Sequence, residues 1–197
     1  MYPLKFSIEY PEKLSRGTLF LRLFFGYLYV GIPHYFCLFF LAIAVIFIQC
    51  IAFWIILFTG KFPKGMFDFI VGYYRWNMRV TAYLGYMTDK YPKFTTKPYE
   101  GDPVVLELEF PESLSRGKLL LKVFFGVIYV MIPHYVCLIF VGIWACILMF
   151  IAWWVILFTG KYPENWFHFV EGYYRWYLRV GLYFYYCDVY PPFSGKP

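Results

Sequence analysis

A run of apolar residues from about His34 to Phe58 contains no charge and only one strongly polar interior side chain, Gln49. A second run, from His134 to Phe158, contains none. As a helix rising 1.5 Å per residue, roughly 25 residues reach about 37 Å, enough to cross a hydrocarbon core of about 30 Å. Each run therefore predicts a transmembrane helix. Composition agrees, because the chain is 61% hydrophobic, above the roughly half-apolar make-up of soluble domains.

The two runs belong to an internal repeat. A shift of one hundred positions superposes P-E-K-L-S-R-G on P-E-S-L-S-R-G, I-P-H-Y on I-P-H-Y, and G-Y-Y-R-W-N-M-R-V on G-Y-Y-R-W-Y-L-R-V. A one-residue slip then aligns D-K-Y-P-K-F with D-V-Y-P-P-F. Duplication explains this economically. The units are residues 1–99 and 100–197, with the same order of elements in each.

Leu4 to Tyr10 and Val104 to Phe110 alternate with a period of two, which predicts a short β-strand before each unit. Ser15 and Ser115 are placed to N-cap a first helix running to about Ile32 or Ile132. A proline disfavours helical geometry in the residue before it, so I-P-H-Y predicts a hairpin turn at Pro33, His34, Pro133 and His134. Gly60 and Gly160 end the second helix, Lys61 and Lys161 mark its polar end, and Pro63 or Pro163 opens a third. That third helix is amphipathic: Asp68, Gly72, Arg75 and Arg79 form one stripe, repeated by His168, Gly172, Arg175 and Arg179, with Glu171 able to pair with Arg175. The expected class is an all-α membrane protein, a tandem repeat of helical hairpin plus interfacial amphipathic helix, with a short β-strand before each repeat.

Corresponding basic residues in both units should orient them alike, with basic ends and both termini cytoplasmic. Each unit must then cross an even number of times. The first helix supplies the extra crossing better than the third, because Arg22 and Lys122 can snorkel whereas two arginines lie midway along the third. The third helix is expected in the interface, its stripe toward headgroups. The hairpins either span fully or re-enter, and parallel repeats of this kind predict a pseudo-two-fold axis along the membrane normal. The N-terminus has no cleavable-signal pattern.

The formal charge is +6, but no nucleic-acid recognition motif accompanies it, which makes anionic lipid the expected counter-charge. Cys37, Cys50, Cys137, Cys146 and Cys187 lie in or beside apolar segments without a C-x-x-C pair and read as buried thiols.

The segments L-F-T-G-K-[FY]-P, G-x-x-R-W-x-x-R-V and D-x-Y-P-x-F, present in both copies, resemble the signature of a bacterial family of domains of unknown function, DUF4389. The resemblance spans nearly the whole chain. It implies a protein of the bacterial cytoplasmic (inner) membrane and brings no reaction with it. The chain departs from the family pattern at Lys93, where a second proline is usual, at Gly181 and Leu182, and in lacking a threonine before Asp188.

There is no nucleophile paired with a base, no carboxylate pair and no phosphate loop, so no catalytic, cofactor or metal residue is assigned and a non-enzyme is expected. His34 and His134 have no carboxylate nearby in sequence and no H-x-x-x-H spacing, which favours a capping or interfacial role over metal or proton chemistry. Lys61, Arg75, Arg79, Lys161, Arg175 and Arg179 are the candidate contacts for lipid headgroups or a partner's carboxylates. Trp54, Trp76, Trp154 and Trp176 are the candidate interface anchors. Asp89 and Asp188 are expected to pair with a nearby Lys or Arg. The expected function is an accessory or scaffold subunit of a larger membrane complex, meeting lipid and either other subunits or a second copy. The competing reading is an anionic-lipid-binding or transport component that uses the arginine stripe.

Overall fold

A computed structural model describes residues 2–197, the side chain of residue 185 excepted, and is mostly helical. Each unit opens with a strand, β1 (Leu4–Ile8) or β2 (Val104–Leu108). A helical rod of 44 residues follows, Arg16–Thr59 or Arg116–Thr159. The first rod comprises α1 (Arg16–Gly26), a π-helical turn (Tyr27–Gly31) and α2 (Ile32–Thr59). The second comprises α4 (Arg116–Gly126), a π-helical turn (Val127–Met131) and α5 (Ile132–Thr159). A shorter helix closes each unit, α3 (Lys64–Leu84) or α6 (Glu164–Tyr186).

Local signals behave as expected at the ends. The Ser15 and Ser115 hydroxyls accept from the amides three residues on. Gly60 and Gly160 stop the rods with a φ of 73°, a left-handed geometry that costs glycine little.

The hairpin expected at I-P-H-Y is absent, since Pro33, His34, Pro133 and His134 lie within continuous helix. In a regular α-helix each proline would strip the carbonyl four residues back of its donor, and its ring would press on that carbonyl. The wider π turn relieves the clash: the Ile32 amide reaches the Tyr27 carbonyl five residues back, and Ile132 reaches Val127. It also re-phases the rod. The buried positions Arg22, Gly26, Val30, His34 and Leu38 follow in steps of four, and each such step overshoots an α-helical turn by about 40°. The π turn absorbs the drift, so one face stays inward along the rod. Each unit thus offers one helix long and apolar enough to cross a membrane, and the four crossings expected from two hairpins lose their basis.

The strands pair antiparallel with each other, Leu4 with Leu108, Phe6 with Leu106 and Ile8 with Val104. Because these residues interchange under the hundred-residue shift, a pseudo-two-fold axis passes between Phe6 and Leu106. The contacts between the rods obey it. The Leu14 amide donates to the Gly160 carbonyl and the Leu114 amide to the Gly60 carbonyl, both at 2.8 Å. The start of each rod therefore meets the end of the other, and the rods run antiparallel, α1 against α5 and α2 against α4. Phe20 accordingly meets Trp153 edge-on.

α3 folds back along α2, and α6 along α5, while β2 packs on α3 and β1 on α6, so each strand serves the opposite unit. The inward face of the sheet, including Phe6 and Leu106, shares one core with Ala52, Ile56 and Ile70 and with Ala152, Ile156 and Val170.

Candidate functional site

The one polar side chain that each rod turns fully inward at its proline is a histidine. His34 and His134 are both 0% exposed. Trp76 Nε1 donates to His34 Nδ1 at 2.9 Å, and Trp176 Nε1 donates to His134 Nδ1 at the same distance. An indole N–H is donor only, so Nδ1 must be the acceptor and the proton of the neutral ring resides on Nε2. In the first unit that Nε2 lies 3.2 Å from the Tyr91 hydroxyl, which in turn donates to the Tyr29 carbonyl. Tyr29 is the residue four before Pro33, whose carbonyl the proline cannot serve. In the second unit Tyr190 donates to the matching Tyr129 carbonyl at 2.9 Å, while His134 Nε2 has no partner among the described atoms. Phe94 and Phe193 stack on the two imidazoles at 3.8 Å. A proline, a histidine and the Tyr and Phe of D-x-Y-P-x-F therefore form one lock around each π turn.

The aspartate of the same motif fastens the start of the rod. Asp89 accepts from Arg22 Nη2 at 2.5 Å and from the Ser15 amide at 2.6 Å. Asp188 accepts from Lys122 Nζ at 2.8 Å and from the Ser115 amide at 2.6 Å. The expected pairing of these carboxylates with nearby cations holds. Arg22 and Lys122 do not snorkel, however: their side chains are 1% and 2% exposed, because the motif brings a carboxylate to them.

The arginine stripe points inward rather than toward headgroups. Arg75 donates to the carbonyls of Leu106 and Thr96, and Arg175 to those of Phe6 and Gly195. Arg79 forks onto Asp102 and also reaches the Thr95 and Lys97 carbonyls. Arg179 takes the Ser194 and Lys196 carbonyls, and burial holds its guanidinium below the ordinary value, with Arg175 adding to the effect. The segment after each helix returns over the stripe and offers its carbonyls there. Gly72 permits the approach, since a Cβ at that position would stand 2.8 Å from the Thr96 side chain.

Of the remaining candidates, Lys61 and Lys161 are exposed at the rod ends. Trp54 and Trp154 are exposed near those ends, whereas Trp76 and Trp176 are 6% and 7% exposed and serve the histidines instead of an interface. Sequence reasoning did not connect Tyr91, Phe94, Tyr190 and Phe193 to the histidines, although both copies of D-x-Y-P-x-F carried the signal. It also missed Glu171 Oε1, which accepts the Ile8 amide of the opposite unit's strand at 2.8 Å. A groove of about 580 Å³ beside α6 includes His168, Glu171 and Arg175, but these pair with one another. Among the described residues no group of three or more His, Cys, Asp or Glu could hold a metal.

Comparison with curated proteins and with solved structures gives no match. The family model for a domain of unknown function, DUF4389, matches residues 16–96 and again residues 121–195. Each match takes in the proline-histidine turn or its partners and the whole of the lock that closes on it. The chain belongs to the DUF4389 family and carries two tandem copies of its domain.

Proposed function

We propose that this protein is a lipid-embedded structural component, an accessory or scaffold subunit of a larger bacterial inner-membrane complex, without catalytic activity. One observation carries the membrane part of the reading. The large apolar side chains left exposed by the fold are concentrated on the two rods, from Phe20 to Phe58 and from Leu120 to Phe158. Only 17% and 22% of the most apolar window of each rod is buried, whereas the core helix of a soluble protein is covered by its neighbours. Exposed Trp54 and Trp154, close to the exposed lysines at the rod ends, suit the level of headgroups.

The absence of catalysis is argued from how the polar groups are spent. The signature residues retained in both copies, Arg75, Trp76, Arg79 and Asp89 with their counterparts, are occupied in holding rods, loops and caps together. This also removes the support for lipid binding through the arginine stripe. Anionic headgroups would instead meet the exposed rim of Lys61, Lys161, Arg16 and Arg116. Alkaline carbonate extraction tests the embedding, and the chain should stay with the membrane. Mild-detergent purification tests the scaffold role: a partner recovered in fixed stoichiometry supports it, and a chain that is monodisperse alone argues against it.

A further inference from the structure

Resting on the reading of the rods as lipid-embedded, we infer that the protein enters the bilayer from one side only. Both rods lie lengthwise in the membrane, and all their ends meet the same surface.

The symmetry carries the argument. Antiparallel rods exchanged by a two-fold axis lie across that axis, and the axis runs through the Phe6–Leu106 pair of the sheet. If the rods stood upright, the axis would lie in the membrane plane and the sheet would sit at mid-depth. The outer face of the sheet carries Lys5 and Glu107, whose side chains are 73% and 65% exposed. Upright rods would therefore present this exposed ion pair, Lys5 Nζ 3.5 Å from Glu107 Oε2, to the centre of the hydrocarbon, where charged groups are costly even when paired. With the axis along the membrane normal, the same charges face water.

Length agrees. The exposed apolar stretch from Phe20 to Phe58 covers about 57 Å of helix, nearly twice the hydrocarbon thickness of about 30 Å. An upright rod would drive much of that face into water. Charge agrees as well. No charged residue lies between Arg22 and Lys61 or between Lys122 and Lys161. Upright rods would split the two equivalent basic rims, Arg16 with Lys161 and Arg116 with Lys61, between opposite surfaces, whereas one-sided entry gathers them on one.

The test uses Lys61→Cys and Lys161→Cys, at the far ends of the two rods, in sealed vesicles of known orientation. A membrane-impermeant maleimide is applied from either side, and the signal of the parent chain's own thiols is subtracted. One-sided entry labels both positions from the same side and loses both signals from the other. Labelling from opposite sides, or each position from both, overturns the inference. Glu12→Cys and Glu112→Cys, also exposed, repeat the comparison if a lysine variant fails to fold. Release of the parent chain by alkaline carbonate would instead remove the lipid-embedded reading itself, so the two failures are told apart.

Discussion

Asp102→Asn removes one charge from a deeply buried ion pair. The Arg79 and Asp102 side chains are 1% and 9% exposed. Arg79 Nε lies 3.1 and 2.9 Å from the two carboxylate oxygens, and Nη2 donates to Oδ2 as well. Asparagine keeps the shape and can still accept the Val104 amide that Oδ1 now takes at 3.2 Å. It loses the charge, however, and turns an NH2 group toward guanidinium donors. Breaking a buried pair by neutralising one member costs about 3–5 kcal/mol, because the other charge stays buried. The Thr95 and Lys97 carbonyls remain bound to Arg79, which places the expected loss near the lower end, about 3 kcal/mol. For a chain of this size each kcal/mol moves Tm by about 2–4 °C, so a fall of roughly 6–12 °C is expected. Thermal unfolding in detergent micelles, followed by tryptophan fluorescence, measures it. Asp68→Asn is the control: its pair with Lys64 is 57% and 69% exposed, and the loss should stay within about 0.5 kcal/mol. If Asp102→Asn melts no lower than this control, the returning segment does not enclose Arg79 as described.

Other perturbations follow from the same network. Trp76→Phe leaves His34 Nδ1 as a buried acceptor without a donor and should cost about 1–3 kcal/mol; the imidazole ¹⁵N shifts should also depart from the pure Nε2–H pattern, and an unchanged spectrum would contradict the assigned tautomer. Gly60→Ala or Gly160→Ala forces a side chain into left-handed geometry at φ 73° and should lower stability by about 1–2 kcal/mol per site, read by the same melts. Burial, followed by their mutual contact in the case of Tyr2, pushes both the Tyr2 hydroxyl and the Cys187 thiol up. Since the folded state favours their neutral forms, stability should be flat below the ordinary thiol value of 9.0 and fall as pH rises past it and past the tyrosine value of 10.0. A Tyr2→Phe, Cys187→Ala chain that loses stability between pH 9 and 11 as steeply as its parent would refute this link.

Features set by a few neighbouring residues were legible in the chain. Alternation announced β1 and β2, serine announced the caps, and Gly-Lys-x-Pro announced the break between rod and third helix, because each depends on local backbone preference and local hydrogen bonding. The misreading at Pro33 came from the same kind of rule. A proline biases the residue before it away from helix, but the bias yields where a π turn removes the clash and a distant hydroxyl satisfies the stranded carbonyl. Tyr91 lies 58 residues beyond Pro33 in number, so no window around I-P-H-Y could reveal it. The 3.6-residue period likewise identified the arginine stripe but said nothing of what would cover it.

By itself the sequence determined that the chain is a doubled unit, that each half contains one long charge-free helix, and that an amphipathic helix and a D-x-Y-P-x-F segment follow it. Those are properties of composition and period. Only the tertiary structure decided that the rods run antiparallel, that the two strands pair across the duplication, and that histidine, arginine and aspartate are joined inside rather than offered outside. The physical reason is that a buried polar group must find its partner wherever the chain returns, and the return of the chain is fixed by packing between elements distant in sequence.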